Sequence, residues 1–190
     1  MTYLEHLRVW NRSLNLTSIT LDEAIIIKHF IDSLAGLRAE TVKHGARLLD
    51  VGTGAGFPGI PLRIARQDLN VTLIEPIQKK ISFLHFIVGL LRLERVKIFY
   101  GTLEQFIMKN DSDQTFDYIT TRALKHDFVL REGSRLLATG GKIILYSSNP
   151  INPLELGNNW SIGAEYLVDL PREFGQRVIS ILSTSEQQHA

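Results

Sequence analysis

The segment Leu48-Leu49-Asp50-Val51-Gly52-Thr53-Gly54-Ala55-Gly56-Phe57-Pro58-Gly59 carries more structural information than any other part of this 190-residue chain. A short apolar run leads into three glycines at alternate positions, and a helix-compatible segment follows them. That order spells a strand, a tight glycine turn and a helix start, the layout of a loop that cradles a nucleotide-type cofactor.

Gly54, Gly56 and Gly59 also form a literal G-x-G-x-x-G, which alone suggests a dinucleotide fold with a pyrophosphate on the helix N-terminus. Two neighbours argue against phosphate. Asp50 stands at the strand end, where its charge repels a pyrophosphate and attracts an ammonium or sulfonium group. Pro58 and Pro61 remove two backbone N–H groups from the start of the following helix, the donors a phosphate would use. S-adenosyl-L-methionine has no phosphate, and its methionyl end carries two positive centres beside one carboxylate. The turn residues Gly52, Thr53, Gly54 and Gly56 are therefore candidates for binding a methyl donor. A dinucleotide site and a glycine turn without ligand are the alternatives.

Outward from the turn, periodicity predicts an alternation of helices and strands. Residues 21–37 place Ile27, Phe30, Ile31 and Leu34 at helical spacing, with Lys28, His29, Asp32 and Ser33 on the other side. Residues 46–51 read as a buried strand, and a helix begins at Pro58, where a missing N–H matters least. Strands are expected at 71–75, 96–100, 116–121 and, after the Gly140-Gly141 turn, 142–146. Between them, Ile77, Ile81, Leu84, Val88 and Leu91 form a long helical stripe, and shorter helices fall at 103–108 and 128–137. Past the loop at 149–153, residues 164–170 and 178–182 read as two strands joined around Gly175. The pattern predicts a Rossmann-like α/β fold with a mostly parallel seven-stranded sheet and an antiparallel C-terminal edge. It forms one domain: a helical cap at 1–45, a cofactor-binding α/β core at 46–148 and a β-hairpin region at 149–190. Ligands then belong at the C-terminal ends of the strands, near the switch point.

The polar motifs fall at those ends. Glu75 closes the second strand, where an acid accepts hydrogen bonds from both ribose hydroxyls; the alternative is a helix N-terminal acid ahead of Pro76. Leu103 and Glu104 follow the third strand, where backbone groups read an adenine edge and an apolar side chain covers its face. A first-turn helix acid is the other reading of Glu104. Phe57 either lines the same cleft or packs in the core. Thr120-Thr121-Arg122-Ala123 ends the fourth strand, and the Arg122 guanidinium faces the donor's methyl region or an incoming anion unless it forms a surface salt bridge. In the cap, His29, Asp32 and Ser33 share a helix face, either as a hydrogen-bonded polar face on the sheet or as part of an acceptor pocket with Asn15.

Composition narrows the classes further. With no cysteine, disulfides, thiolate metal sites and cysteine nucleophiles are excluded. No basic-then-apolar leader follows Met1, and the longest uncharged run, 81–91, is far shorter than the ~20 apolar residues that span a bilayer. The expectation is a cytoplasmic protein, a monomer without membrane or metal partner. Net charge is +1, yet residues 60–97 hold seven Lys/Arg against three acids and residues 121–150 five against two. That asymmetry fits ordinary solvated surface or one basic face that meets a polyanion.

Asn15-Leu16-Thr17, the run from Lys28-His29-Phe30 through Asp32-Ser33-Leu34, Leu49 through Pro61 with its Phe-Pro-Gly-Ile-Pro run, Lys79-Lys80 through Phe83-Leu84, and Thr121-Arg122-Ala123 together resemble one family. It is the bacterial small-subunit (16S) rRNA guanine-N7 methyltransferases of subunit-G type, also called glucose-inhibited division protein B. The resemblance runs from Trp10 to about Leu182. It implies a class I S-adenosylmethionine-dependent methyltransferase fold. It also implies that Gly52, Phe57, Leu103, Glu104 and Arg122 contact the donor, that Glu75 holds the ribose, and that Arg122 is the catalytic candidate. The implied acceptor is N7 of a guanine in the 530-loop of 16S rRNA, free or in the small ribosomal subunit, with S-adenosylhomocysteine as product. Where the family usually carries an arginine before the acid that follows the third strand, this chain has Thr102, and where it carries Lys-Gly after the fifth strand, Ser147-Ser148. The alternatives are a diverged methyltransferase for another RNA or a small molecule, or a donor-binding protein without catalysis.

Overall fold

The computed structural model describes residues 2–109, 114–122, 126–157 and 159–185; Ala123, from the motif that ends the fourth strand, lies outside them. Helix α1 (Thr2–Leu14) and a helical run made of α2 (Asp22–Ile25), a π-helical turn (Ile26–Ile31) and α3 (Asp32–Ala39) precede the sheet. The alternation continues as β1 (Arg47–Val51), α4 (Gly59–Ala65), β2 (Asn70–Glu75), α5 (Gln78–Leu90), β3 (Val96–Tyr100), α6 (Leu103–Lys109), β4 (Phe116–Arg122), α7 (His126–Gly133) and β5 (Leu137–Ser147). Two antiparallel strands, β6 (Trp160–Asp169) and β7 (Gln176–Thr184), close it.

The seven strands form one sheet in the order β3-β2-β1-β4-β5-β7-β6. β1 to β5 are parallel, and β7 inserts antiparallel between β5 and the edge strand β6. The central strands are apolar on both sides because helices cover both faces. Leu48, Leu73, Tyr118, Ile144 and Tyr146 meet Leu7, Ile25, Ala35, Ile60 and Phe83 on one face. Leu49, Val51, Ile74, Ile119, Ile143 and Leu145 meet Leu103, Phe106, Val129 and Leu130 on the other. Since β1 lies between β2 and β4, the connections leaving β1 and β4 diverge and open a crevice at their C-terminal ends.

Two expectations are corrected. The helix over 21–37 is not a uniform α-helix: its π-helical turn widens the spiral and shifts the phase of α3. As a result Ile31 and Leu34, read on the apolar face with Ile27, are 39% and 37% exposed, while Ile27 is buried as read and Asp32 and Ser33 are fully buried, in keeping with a polar face packed on the sheet. The helix over 128–137 ends at Gly133, a 3-10 turn covers Ser134–Leu136, and Leu137 already belongs to β5. Gly140-Gly141 sits inside that strand as a bulge: the pairing jumps from Phe116↔Leu137 to Tyr118↔Lys142, with Gly140 at φ 72°.

Candidate functional site

The glycine turn is tied down by its own backbone. The N–H groups of Gly52 and Thr53 both donate to the Ile74 carbonyl, at 3.0 and 3.1 Å, fixing the turn to the end of β2. The Thr53 carbonyl accepts from Gly56 and Phe57 N–H. Gly52, Gly54 and Gly56 take φ of 69°, 64° and 98°, the left-handed region that other residues rarely adopt. A side-chain carbon at Gly54 would meet nothing within 4 Å, so the crest of the loop borders open space.

Beneath the loop lies Asp50, fully buried. Its Oδ2 accepts from the Thr53 hydroxyl at 2.6 Å and from Gly59 N–H at 2.8 Å. Its Oδ1 is the one buried side-chain polar atom without a partner among the described residues. Burial lifts the Asp50 carboxyl to about 6, against the pull of the Thr53 and Gly59 hydrogen bonds and of Arg122; Glu75 adds a small push upward. A buried carboxylate with one free oxygen beside an open loop is suited to a cationic group.

Glu75, at the end of β2, is also buried. Its Oε2 accepts from Gly54 N–H at 2.9 Å and its Oε1 from Ile77 N–H at 3.0 Å, with Lys80 Nζ 4.0 Å away. Each oxygen keeps an acceptor lone pair beyond these bonds. Leu103 is buried at the start of α6 and Glu104 beside it is exposed. Thr102 caps that helix: its N–H donates to Gln105 Oε1 at 3.0 Å and its Oγ1 accepts from Gln105 N–H at 3.3 Å, a reciprocal capping box. Ser147 donates its hydroxyl to the Asn149 carbonyl at 2.6 Å.

Across the switch point, β4 pairs Thr121 with Val51, so Arg122 stands one position past the last residue of β1. It is not a surface ion pair, its side chain being 14% exposed. Nη1 donates to the Lys28 carbonyl and to Asp32 Oδ2, both at 2.9 Å, and Nη2 meets His29 Nδ1 at 3.1 Å. Asp32 Oδ1 accepts from Arg177 Nε of β7 at 2.7 Å, so one buried carboxylate holds two guanidinium groups. The His29 imidazole is held down to about 4, first by burial and then by the Arg122 charge. Because Nδ1 faces an arginine donor, its proton sits on Nε2, which donates to Thr17 Oγ1 at 2.8 Å. The cap polar face is therefore hydrogen-bonded to Arg122 at the end of β4. Phe57 packs in the core: its ring lies between Tyr3 and His29, with centroids at 5.4 and 4.7 Å, Phe30 on its edge and the Arg122 guanidinium 5.6 Å from it.

The structure thus brings together Asp50, Thr53, Gly54, Phe57, Glu75 and Arg122; Leu103 and Glu104 stand on the neighbouring α6. Asn15 is exposed at the end of α1, and Thr17 is the residue that links the cap loop to His29. Sequence reasoning missed Arg177, which no local motif marks, and Tyr3, whose hydroxyl donates to the Ala55 carbonyl of the glycine turn. Only the β5–β7 register, Ser147 opposite Val178, carries Arg177 to Asp32.

Comparison with known proteins fits this geometry. A family model described as rRNA small subunit methyltransferase G matches residues 1–153, starting before Trp10 and ending before β6 and β7. The chain is 42% identical over 132 residues to the ribosomal RNA small subunit methyltransferase G of Clostridium perfringens, covering 70% of this chain and 55% of that protein. The namesake of Lachnoclostridium phytofermentans is 41% identical over 150 residues, 78% of this chain and 62% of that protein. The chain spans little more than half the length of these relatives. Among solved structures, TrmN from Thermus thermophilus superposes with a TM-score of 0.66 at 16% identity, over 80% of this chain and 48% of that one. MtNAS in complex with MTA and tNA superposes with a TM-score of 0.68 at 15% identity, over 95% and 70%. These likenesses establish the Rossmann-like α/β fold. On the match over residues 1–153, the chain belongs to the rRNA small subunit methyltransferase G family.

Proposed function

We propose that this chain transfers the methyl group of S-adenosyl-L-methionine to N7 of a guanine in the 530-loop of 16S rRNA, releasing S-adenosylhomocysteine. The observation that carries the reading is the buried Asp50 carboxylate, one oxygen of it unpartnered, beneath an open glycine loop and beside a fixed Arg122. The residues fit the donor. Gly52, Thr53, Gly54 and Gly56 let the backbone approach it, and the Asp50 charge favours its cationic end. Glu75 takes the ribose hydroxyls on its free lone pairs, while Leu103 covers the adenine face and Glu104 lies at its edge. Bound there, the donor supplies an electrophilic methyl on a sulfonium. Guanine N7 already exposes a lone pair, so the protein supplies position and field and no general base. Consistent with that, both ring nitrogens of His29 are engaged. Arg122 is the catalytic residue, its guanidinium directed by Asp32, His29 and the Lys28 carbonyl toward the methyl region or the acceptor's phosphate.

In this reading residues 1–190 act as one methyltransferase domain, the cap at 1–45 shaping the acceptor side and the hairpin region at 149–190 bracing Arg122. It works in the cytoplasm as a monomer on 16S rRNA or the small ribosomal subunit, with no metal or membrane. No helix among the described residues is long and apolar enough to cross a membrane. One observation favours a second reading, transfer to another RNA or a small molecule, or donor binding alone. Thr102 and Ser147, standing where the family carries basic residues, are spent on local hydrogen bonds. Transfer of labelled methyl to small subunits lacking the modification, beside naked 16S rRNA and a small-molecule pool, separates the two. Label in one guanine of the 530-loop supports the first reading. Donor binding without label in RNA refutes it.

A further inference from the structure

One face of α1 is unused by the core. Tyr3, Leu4 and Leu7 are buried, whereas Arg8, Asn11 and Arg12, at i, i+3 and i+4, line an opening of about 440 Å³ with Asn15, Thr17 and Ser18 of the segment that follows the helix. We propose that this groove holds the ribose–phosphate backbone of the single-stranded RNA acceptor, an assignment that rests on the rRNA methyltransferase reading above.

The chemistry of the lining points to a polyanion. Arg12 is exposed and has no ion pair among the described residues. Among the described residues Arg8 pairs only with Asp22, at 2.9 Å, with both side chains nearly half exposed, an arrangement that a phosphate readily displaces. Guanidinium groups grip phosphate oxygens in a bidentate fork, and amide and hydroxyl groups serve phosphate and ribose oxygens alike. Asn11 accepts Thr17 N–H on its Oδ1 at 2.8 Å, which sets the loop and leaves its amide donors without a partner among the described residues.

Position separates this groove from a more strongly basic opening. Thr17 lines the groove and accepts from His29, whose other nitrogen meets Arg122, so two side chains join the groove floor to the end of β4. The opening of about 390 Å³ with Arg47, Arg95 and Lys97 lies at the starting ends of the strands, away from the glycine turn. Helix α1 begins at the glycine turn, where Tyr3 donates to the Ala55 carbonyl, so a strand along it runs toward that turn, whereas one held at the starting ends lies at the opposite end of the sheet.

The test uses the full chain, the Arg8→Ala/Arg12→Ala double variant and the Arg12→Ala single variant. Binding of labelled naked 16S rRNA is measured against salt, beside calorimetry with S-adenosylhomocysteine and steady-state methyl transfer. The slope of log K against log salt is expected to fall by about 0.7 per arginine, about 1.4 in the double variant. KM for rRNA rises, with kcat and donor affinity unchanged. An unchanged slope in both variants overturns the proposal. So does a loss seen with intact small subunits and absent with naked RNA, which gives the groove to an acidic protein surface. If the wild-type chain binds RNA and never methylates it, the rRNA methyltransferase reading fails, while the slope still decides the groove.

Discussion

Asp50→Asn separates the charge of the buried carboxylate from its shape. Burial lifts the wild-type carboxyl from an ordinary 3.8 to about 6. A group whose folded pKa lies above its unfolded one contributes stability that is complete below the unfolded value and is lost as pH rises through the folded one. At ~1.4 kcal/mol per tenfold change in ionisation, the span from 3.8 to about 6 is worth ~3 kcal/mol. Asparagine keeps an acceptor for Thr53 and Gly59 and does not titrate. An amide N–H in the place of the unpartnered Oδ1 costs ~1–3 kcal/mol, the same at every pH. The stability difference between variant and wild type therefore moves by ~3 kcal/mol toward the variant between roughly pH 4 and pH 7.5. His29 opposes this trend in the wild-type protein. Its pKa falls from 6.5 to about 4 on folding, so its contribution is present above 6.5 and lost as pH drops through about 4. The two groups nearly cancel, and the wild-type profile hides both. Urea unfolding across this pH range reads the slope, and calorimetry with S-adenosylhomocysteine and the methyl donor at neutral pH reads the site. Affinity for the methyl donor is expected to fall at least tenfold in the variant, the order of one charge-assisted contact. Parallel stability profiles would refute the buried-charge argument, and unchanged donor affinity would remove Asp50 from the cationic end of the site.

Three further substitutions test the same geometry. Glu75→Ala should weaken donor binding by ~1–3 kcal/mol through lost charge-assisted hydrogen bonds, measured by calorimetry; equal affinity would end the ribose assignment. Arg122→Ala should abolish methyl transfer while circular dichroism shows the fold retained. Its stability cost lies toward the low end of the ~3–5 kcal/mol of a broken buried pair, because Arg177 still neutralises Asp32, and near-normal turnover would sink the catalytic role. Gly59→Ala places a carbon 2.5 Å from Leu73 Cδ2 and 2.7 Å from Asp50 Oδ2, so the carboxylate must move. Donor affinity should drop with it, and a variant that binds the donor as wild type does would show that the Gly59–Asp50 contact is dispensable.

Most of the scaffold was legible residue by residue. Val96–Tyr100 is a strand as spaced, β2 and β4 differ from expectation by one residue at an end, and the glycine turn sits between strand and helix. Periodicity failed where the helix changed its own period, at the π-helical turn, and where Gly140-Gly141 bulged a strand in place of starting it. Thr102 closes a reciprocal cap with Gln105, three residues on, a contact short enough in sequence to be read locally.

Near neighbours along the chain set the features that could be read from it: strand and helix alternation, the turn glycines, the acid at the end of β2. Steric limits and side-chain spacing act over a few residues, so those features are written in short segments. Long-range packing is what buries Asp50 with one oxygen unpartnered among the described residues, sets Phe57 against Tyr3, and brings to Asp32 both Arg122 and Arg177, 90 and 145 residues away in the chain. Burial and electrostatic environment are sums over every group that strand register brings near, and no short segment contains that sum.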